Sequence, residues 1–164
     1  MKNIKKTGAE KTALKVVPHV VLERYLGTWY EIATIPQRFQ KGCVGVTAEY
    51  SLRRDGDIQV VNTCVEGALD GKTRSVRGRA RVVDRESNAK LKVTFFWPFW
   101  GSYWIIGLAE DYTWAIVGHP NRSYLWILSR SPQMEGALYR ELLQLVADKG
   151  YDVTRIEKTL QPNG

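Results

Sequence analysis

The segment Gly27-Thr28-Trp29-Tyr30-Glu31-Ile32-Ala33 reads as the start of a β-strand, and it decides the fold when taken together with Trp126-Ile127-Leu128-Ser129-Arg130. Trp29 supplies an indole and Arg130 a guanidinium, two planar groups that can stack as a cation–π pair worth about 0.5 to 2 kcal/mol. Residues so distant in sequence can stack only if the first and last strands of a sheet lie side by side. The pair therefore predicts a sheet that closes into a barrel.

Short strand-like segments separated by turn residues fill the sequence between the two ends of this predicted sheet. Asp55-Gly56 is a strong hairpin signal, and residues 73–83 alternate apolar side chains with arginines. These patterns predict an all-β fold, an eight-stranded antiparallel up-and-down barrel, with strands at residues 28–35, 46–53, 58–65, 73–83, 89–96, 102–109, 113–118 and 123–130.

One amphipathic helix is predicted after the last strand. Ser131 and Pro132 are typical of a helix start, and Gly150 of a helix end. Between them, four apolar residues recur at helical spacing: Leu138, Leu142, Leu145 and Val146. We expect this helix to pack on the outside of the barrel, and a short strand to follow near residues 153–157.

The chain of 164 residues is long enough for one domain with its own core. Its net charge is +7, of which +4 comes from five lysines and one glutamate in the first fifteen residues. We therefore predict a flexible basic arm at residues 1–15 and one domain at residues 16–164. Basic residues are not interleaved with exposed aromatics as nucleic-acid binding would require, and attraction to an anionic membrane is the better functional reading of the arm.

Three short motifs occur in a fixed order: Gly27-Thr28-Trp29, Glu110-Asp111-Tyr112 and the late Arg130. With them the chain resembles the lipocalin family, and within it the branch of bacterial lipocalins and apolipoprotein D. Four longer stretches carry the second resemblance: residues 24–31, 47–52, 95–99 and 124–128. The resemblance implies a barrel with a ligand-binding interior, the calyx, and a loop at residues 36–42 over its mouth. It also implies that Gly27, Trp29, Asp111, Tyr112 and Arg130 are structural signature residues rather than ligand contacts.

Inward-facing residues follow from period two along each strand. If Trp29 points inward, Glu31 and Ala33 do so as well, and matching positions on other strands are Ala48, Tyr50, Val60, Asn62, Gly78, Ala80, Trp126, Leu128 and Arg130. The small Gly78 and Ala80 are expected to leave space in the interior. Glu31 is interpreted as a buried, hydrogen-bonded residue rather than a general base.

The predicted ligand is a small amphipathic lipid, such as a fatty acid or lysophospholipid, that is bound for transport or storage. The ligand-binding candidates are Tyr50, Asn62, Trp100, Trp126, Ala48, Gly78 and Ala80. The resemblance implies that Tyr50, Asn62 and Trp126 line the calyx and that Trp100 lies near its entrance. For Tyr50 and Asn62, a core role with no ligand contact is an open alternative.

Seven aromatic residues lie within residues 95–104, around Pro98. Not all of them can face inward, so some are expected near the open end of the barrel, where they gate the entrance, touch a membrane or form a homodimer. A single aromatic cluster that plugs the barrel end is the structural alternative. The alternative function is a module that uses this rim and the basic arm for membrane contact or self-association.

The Asp55-Gly56 hairpin brings Cys43 and Cys64 to the same end of one strand pair, where a bulge would allow a disulfide. A bridge favours an oxidising compartment, and the resemblance implies the bacterial periplasm or outer membrane. The rival interpretation is a thiol enzyme, because one lipocalin isomerises prostaglandin with a thiol in its calyx and Cys64 shares the inward parity of Asn62. That thiol must be free and needs a lowered pKa. We expect no catalysis, no metal and no cofactor.

Overall fold

The computed structural model describes residues 12–37 and 42–163. A single helical turn, α1 (Leu22–Tyr25), precedes the sheet, and one long helix, α2 (Gly136–Asp148), follows its main part. The strands are β1 (Gly27–Thr34), β2 (Cys43–Leu52), β3 (Ile58–Glu66), β4 (Thr73–Val82), β5 (Lys90–Phe96), β6 (Phe99–Leu108), β7 (Trp114–Gly118), β8 (Leu125–Ser129) and β9 (Glu157–Lys158).

The first eight strands form the closed antiparallel barrel that the sequence predicts. Each strand pairs with the next, and β1 pairs with both β2 and β8, so that Tyr30 lies opposite Thr47 on one side and Ser129 on the other. The predicted strand positions are confirmed, although β2 and β6 each begin three residues earlier than predicted. Because β9 adds only two residues beside the end of β1, the barrel proper is eight-stranded.

Trp29 and Arg130 close one end of the barrel. The indole of Trp29 is fully buried and donates to the Tyr25 carbonyl at 2.8 Å, while the Arg130 guanidinium carbon lies 3.7 Å from the indole centroid. The guanidinium also donates to the carbonyls of Thr28 and Arg24 at 3.0 and 2.8 Å. Gly27 has a φ of +100°, and a Cβ there would lie 3.3 Å from the guanidinium. These contacts join both ends of the sheet at what we call the closed end.

Asp111 and Tyr112 form the turn between β6 and β7 at this closed end. The Asp111 carboxylate accepts from the backbone N–H and the hydroxyl of Thr113. The Tyr112 hydroxyl accepts from the backbone N–H of Val21, and the Arg24 guanidinium carbon lies 4.1 Å from the Tyr112 ring centroid. Both signature residues thus make turn and packing contacts.

The inward parity predicted for β1 holds at Trp29 and fails at Ala33. The pairing of β1 with β8 shifts register between Glu31 and Ala33, which reverses the faces of the residues beyond the shift. Ala33 is therefore buried on the outer side of the barrel, in a second hydrophobic cluster that includes Leu142 and Val146 of α2. The prediction that Ala33 points inward is wrong.

The helix α2 packs on the outside of the barrel as predicted, but it begins later. Its first residue is Gly136, because Gln133 donates to the Pro162 carbonyl at 2.8 Å and Met134 packs on the second cluster, which holds this segment away from helical geometry. The predicted helix start at Ser131 and Pro132 is therefore wrong. Its end is confirmed, since Gly150 follows with a φ of +90°.

Residues 157–163, the C-terminal tail, close a gap in the barrel wall. A 3-10 turn at Val153–Arg155 and the strand β9 replace the single strand predicted near residues 153–157. Beyond Tyr30, β1 and β2 separate, and the tail bonds to both, from Thr159 N–H to the Ile32 carbonyl and from Gly45 N–H to the Leu160 carbonyl. The tail is thus part of the wall around the interior.

The predicted disulfide between Cys43 and Cys64 is present, with the two Cα atoms 5.5 Å apart. The bulge that it requires lies between Val44 and Thr47, where Gly45 has a φ of +58°. By the chain-entropy model, closing a loop of this length stabilises the fold by roughly 3 kcal/mol. The bridge fixes β2 to β3 at the end of the barrel away from Trp29.

Within the predicted basic arm, residues 12–15 contact the barrel. Leu14 is buried in the second cluster, and the carbonyl of Lys15 accepts from the Lys149 ammonium at 3.2 Å. Residues 1–11 lie outside the described residues. Neither of the described helices is long and apolar enough to cross a membrane.

Candidate functional site

A cavity of about 510 Å³ occupies the barrel interior above Trp29. It opens at the end opposite to Trp29, where the exposed Phe96 and Phe99 form part of its wall. We call this end the mouth. The other described lining residues are Glu31, Gln37, Val46, Thr47, Ala48, Tyr50, Val60, Asn62, Val93, Phe95, Trp100, Gly101, Ser102, Tyr103, Val117, His119, Tyr124, Trp126 and Leu128. The volume is within the range of about 300 to 1,000 Å³ that small-molecule sites occupy.

Three tyrosine hydroxyls form a hydrogen-bonded chain at the floor of the cavity. Tyr103 contacts Tyr25 at 2.7 Å and Tyr50 at 2.8 Å. Burial raises the pKa of Tyr50 to about 12 and raises the pKa of the other two hydroxyls well above its usual value, so all three are neutral. Each of the two contacts uses one hydroxyl proton, so one of the three hydroxyl protons remains available to a further acceptor. Tyr50 and Tyr103 line the cavity and can donate it there.

The middle of the cavity wall contains Ala48 and Asn62, which lie opposite each other on β2 and β3. The Asn62 amide makes no hydrogen bond with any described residue, which does not fit a core role satisfied by protein partners. Tyr50 has a protein partner and also lines the cavity. Both side chains are therefore placed where they can contact a ligand.

Two of the predicted ligand-binding residues lie away from the cavity. Gly78 does not add space, because the Phe95 ring of β5 covers it: a Cβ at Gly78 would lie 2.7 Å from that ring. Ala80 is buried in the core at the closed end, where it lies opposite Ile58 of β3 and Val93 of β5. Neither residue is among the described lining residues, so the prediction that they make space for a ligand is wrong.

Glu31 is the lining residue that sequence reasoning undervalued. It is 5% exposed, and its Oε2 accepts from the Thr159 hydroxyl at 2.5 Å. Burial raises the pKa of its carboxyl to about 7, and the hydrogen bond from Thr159 acts in the opposite direction. The expectation of a buried, hydrogen-bonded Glu31 is confirmed, but the side chain also faces the cavity. The inward direction predicted from its parity with Trp29 is therefore confirmed, although Glu31 was not among the predicted ligand-binding residues.

Aromatic side chains line the upper wall near the mouth. The rings of Tyr124 and Trp126 are stacked, 6.1 Å apart at 8°, and His119 meets the edge of Tyr124. Trp100 lies on β6 at the mouth, with the Arg81 guanidinium carbon 5.4 Å from its ring centroid. The structure thus brings Trp100 and Trp126 to the same cavity. Tyr103, Tyr124 and His119 were not predicted. Tyr124 has the same parity as Trp126 in the predicted strand at residues 123–130, a signal that could have indicated it, whereas His119 lies in the loop after β7, which period two does not describe.

The cysteines lie outside the described lining of the cavity, and both are bridged. A disulfide sulfur is not a thiolate nucleophile, so the rival interpretation of a thiol enzyme lacks its reactive group. The site is therefore a mainly apolar cavity with a few polar groups at its floor and along its wall. This arrangement is suited to holding an elongated molecule that is mostly apolar.

A lipocalin-like domain model matches residues 20–161 of this chain. Temperature-induced lipocalin-1 of Arabidopsis thaliana is 43% identical over 161 residues, with 93% of this chain and 85% of that protein covered. The outer membrane lipoprotein Blc of Escherichia coli K12 is 42% identical over 147 residues, covering 90% and 82%. Apolipoprotein D of Mus musculus is 35% identical over 153 residues, covering 87% and 77%. Among solved structures, insecticyanin from the tobacco hornworm Manduca sexta matches with a TM-score of 0.73 at 21% identity, covering 92% and 85%.

Proposed function

This chain belongs to the lipocalin family, whose members bind small hydrophobic ligands, and we propose that it binds a single-chain amphipathic lipid in its cavity. Fatty acids and lysophospholipids are the candidate classes. The observation that carries the proposal is the open cavity of about 510 Å³ with mainly apolar walls. Transport or storage of such a lipid is the corresponding role.

The energetics of burial support this proposal. Each methylene group removed from water contributes about 0.8 kcal/mol, so a chain of about a dozen carbons supplies most of the affinity. The apolar wall formed by Val46, Val60 and Val117 receives the chain, while Asn62 and the floor tyrosines offer hydrogen bonds. We assign ligand contact to Tyr50, Asn62, Ala48, Trp100 and Trp126.

Replacement of Trp126 with alanine is expected to weaken binding of a fluorescent fatty acid about tenfold, equivalent to about 1.4 kcal/mol. The indole lies on the cavity wall and stacks on Tyr124, so its loss removes apolar contact with the chain near the mouth. The measurement is a fluorescence titration of wild type and variant at one pH.

Trp114→Ala is the matched control for this titration. Trp114 lies on the neighbouring strand β7 but packs in the second cluster on the outer side of the barrel, so its loss is expected to change stability rather than affinity. Equal affinity of wild type and Trp126→Ala, or equal weakening in both variants, contradicts the assignment of Trp126 to the ligand site.

Membrane-surface binding is the second candidate function, favoured by the hairpin tip between β5 and β6. Phe96, Trp97 and Phe99 are 76%, 82% and 76% exposed at the mouth. On the adjacent strand β4, Arg77 is also exposed, a charge that anionic lipid attracts. The basic arm at residues 1–15, which the sequence predicts to be attracted to an anionic membrane, lies mostly outside the described residues. The tip would bring the mouth to a membrane from which a lipid could enter.

Liposome sedimentation tests this second candidate. The variant with serine at positions 96, 97 and 99 is expected to lose most of its binding to anionic vesicles, because these side chains have little protein contact to lose instead. Leu52→Ser, exposed at the closed end, is the control. If wild type does not bind to the vesicles, this candidate is removed. If the molecular mass of the protein without vesicles instead falls when residues 96, 97 and 99 are changed to serine, the exposed aromatic residues serve self-association.

An oxidising compartment is the proposed location, because the fold contains a disulfide between Cys43 and Cys64. Bacterial relatives named outer membrane lipoprotein agree with the periplasm or outer membrane. Relatives from a plant and from a virus have about the same sequence identity to this chain as the bacterial relatives. Similarity to known proteins therefore does not by itself indicate a compartment.

A further inference from the structure

Among the described lining residues, Glu31 places the one carboxyl group in a cavity wall that is mainly apolar. We propose that this carboxylate is a head-group subsite that pairs with an ammonium group, so that the protein prefers amine-bearing amphiphiles to fatty acids of the same length. This inference rests on the proposed lipid-binding function and specifies the ligand class. It is carried by the geometry of Glu31, the charges around it and the way the C-terminal tail holds it.

The two carboxylate oxygens of Glu31 have different surroundings. Oε2 accepts from the Thr159 hydroxyl at 2.5 Å, whereas Oε1 has no hydrogen-bond partner among the described residues. The residue is 95% buried, and it lines the cavity. Among the described residues, Gln161 Oε1 is the one unpaired side-chain nitrogen or oxygen atom that is fully enclosed by protein. Oε1 of Glu31 is unpaired but is not fully enclosed. An acceptor with a free lone pair is therefore available to a molecule in the cavity.

Charges of opposite sign do not compensate this carboxyl in the described wall. The described lining residues include no lysine or arginine, and their other titratable groups are Tyr50, Tyr103, Tyr124 and His119. Behind the wall, β9 carries Glu157 and Lys158, and the Lys158 ammonium lies 4.7 Å from the centroid of the Tyr139 ring. A buried carboxylate without a cation is costly, and a ligand ammonium would remove that cost.

The C-terminal tail fixes the position of Glu31. The Gln161 side-chain amide donates to the Glu31 carbonyl and to the Val46 carbonyl, each at 2.8 Å, and so joins β1 to β2 behind the carboxyl. Thr159 then orients one carboxylate oxygen. Two tail side chains thus hold the group in place before any ligand arrives, which lowers the cost of ordering it on binding.

The preference should depend on pH in opposite directions for opposite head groups. Burial raises the pKa of the Glu31 carboxyl to about 7 in the free protein. A bound ammonium favours the ionised carboxylate and lowers this pKa, so affinity for an amine rises as the pH increases through about 7. A bound fatty-acid carboxylate opposes ionisation, so its affinity falls over the same interval. An alcohol of equal length has no charge and should change little.

Competition binding with three ligands of equal length tests the inference. The assay measures displacement of a fluorescent fatty-acid probe by dodecylamine, dodecanol or dodecanoate, each used below its aggregation concentration. It is run at pH 6 and pH 8 on wild type, Glu31→Gln and Glu49→Gln. Glu49 is exposed on the outer face of the same sheet and controls for net charge. At pH 8, wild type and Glu49→Gln are expected to prefer the amine to the alcohol about tenfold, as a hydrogen bond to a charged group allows.

Glu31→Gln is expected to abolish this preference while it keeps the affinity for dodecanol. A wild-type protein that binds dodecanol but prefers no amine at pH 8, or a preference that survives Glu31→Gln, overturns the subsite. If the fluorescent fatty-acid probe and all three ligands fail to bind to wild type, the proposed lipid-binding function is overturned together with the subsite. If Glu31→Gln does not fold, the pH dependence of wild type alone decides: amine affinity that does not rise from pH 6 to pH 8 overturns the inference.

Discussion

Replacement of Trp29 with alanine is expected to lower the free energy of unfolding by about 3 to 5 kcal/mol, the usual cost of removing a buried tryptophan. The indole is fully buried, donates to the Tyr25 carbonyl and lies under the Arg130 guanidinium. Its loss leaves a cavity at the point where β1 is joined to the end of β8. Urea denaturation followed by far-UV circular dichroism measures the change.

Trp97→Ala provides the comparison for Trp29→Ala. Trp97 is 82% exposed at the hairpin tip, and its replacement is expected to change the unfolding free energy by less than about 0.5 kcal/mol. A Trp29→Ala variant that is as stable as Trp97→Ala would mean that the Trp29–Arg130 stack does not hold the barrel closed.

Ala48→Phe is expected to reduce lipid affinity at least about 100-fold, equivalent to about 2.7 kcal/mol, while the protein stays folded. Ala48 faces the middle of the cavity between Trp29 and Asn62, its neighbours on β1 and β3. A phenyl ring there occupies the volume that an acyl chain requires. Because the space is open, the ring should cause less strain than the 1 to 3 kcal/mol typical of an overpacked core.

Glu49→Phe is the matched control for Ala48→Phe. It adds a ring to the same strand one residue further, on the exposed outer face, and is expected to leave lipid affinity unchanged. Binding of fluorescent fatty acid by both variants is measured by titration, and folding by circular dichroism. Full affinity in folded Ala48→Phe would place the ligand outside the calyx.

The strands of the barrel could be predicted from the sequence because each is signalled locally. The Asp55-Gly56 turn sets the register of β2 against β3, and alternation along β4 separates its faces. Closure followed from one long-range pair, Trp29 and Arg130, whose stacking has a simple physical basis. These signals involve either neighbouring residues or a recognisable pair of side chains.

The interior volume could not be predicted in the same way. Period two correctly places Gly78 on an inner face, but the space above it belongs to Phe95, on the next strand. The register shift after Glu31 likewise moves Ala33 outward, and no local residue pattern indicates it. Alternation specifies a direction for each side chain, whereas a cavity depends on the combined sizes of side chains from several strands.

The C-terminal tail explains two other differences. Gln133 bonds to Pro162, which delays the start of α2, and Thr159 bonds to Glu31, which turns a wall residue into an oriented carboxyl. The second contact joins residues 128 positions apart, between side chains that are common on protein surfaces. Neither contact could be read from spacing or composition, because each depends on where the tail crosses the finished barrel.

Native mass spectrometry of the purified protein, followed by denaturing extraction and lipid identification, tests the central claim that the calyx binds one amphipathic lipid. We predict a bound mass of one lipid per chain, either co-purified or after addition of a single-chain amphiphile, and its absence from folded Ala48→Phe. A wild-type protein that carries no co-purified lipid and does not bind added fatty acid, alcohol or amine would contradict the claim.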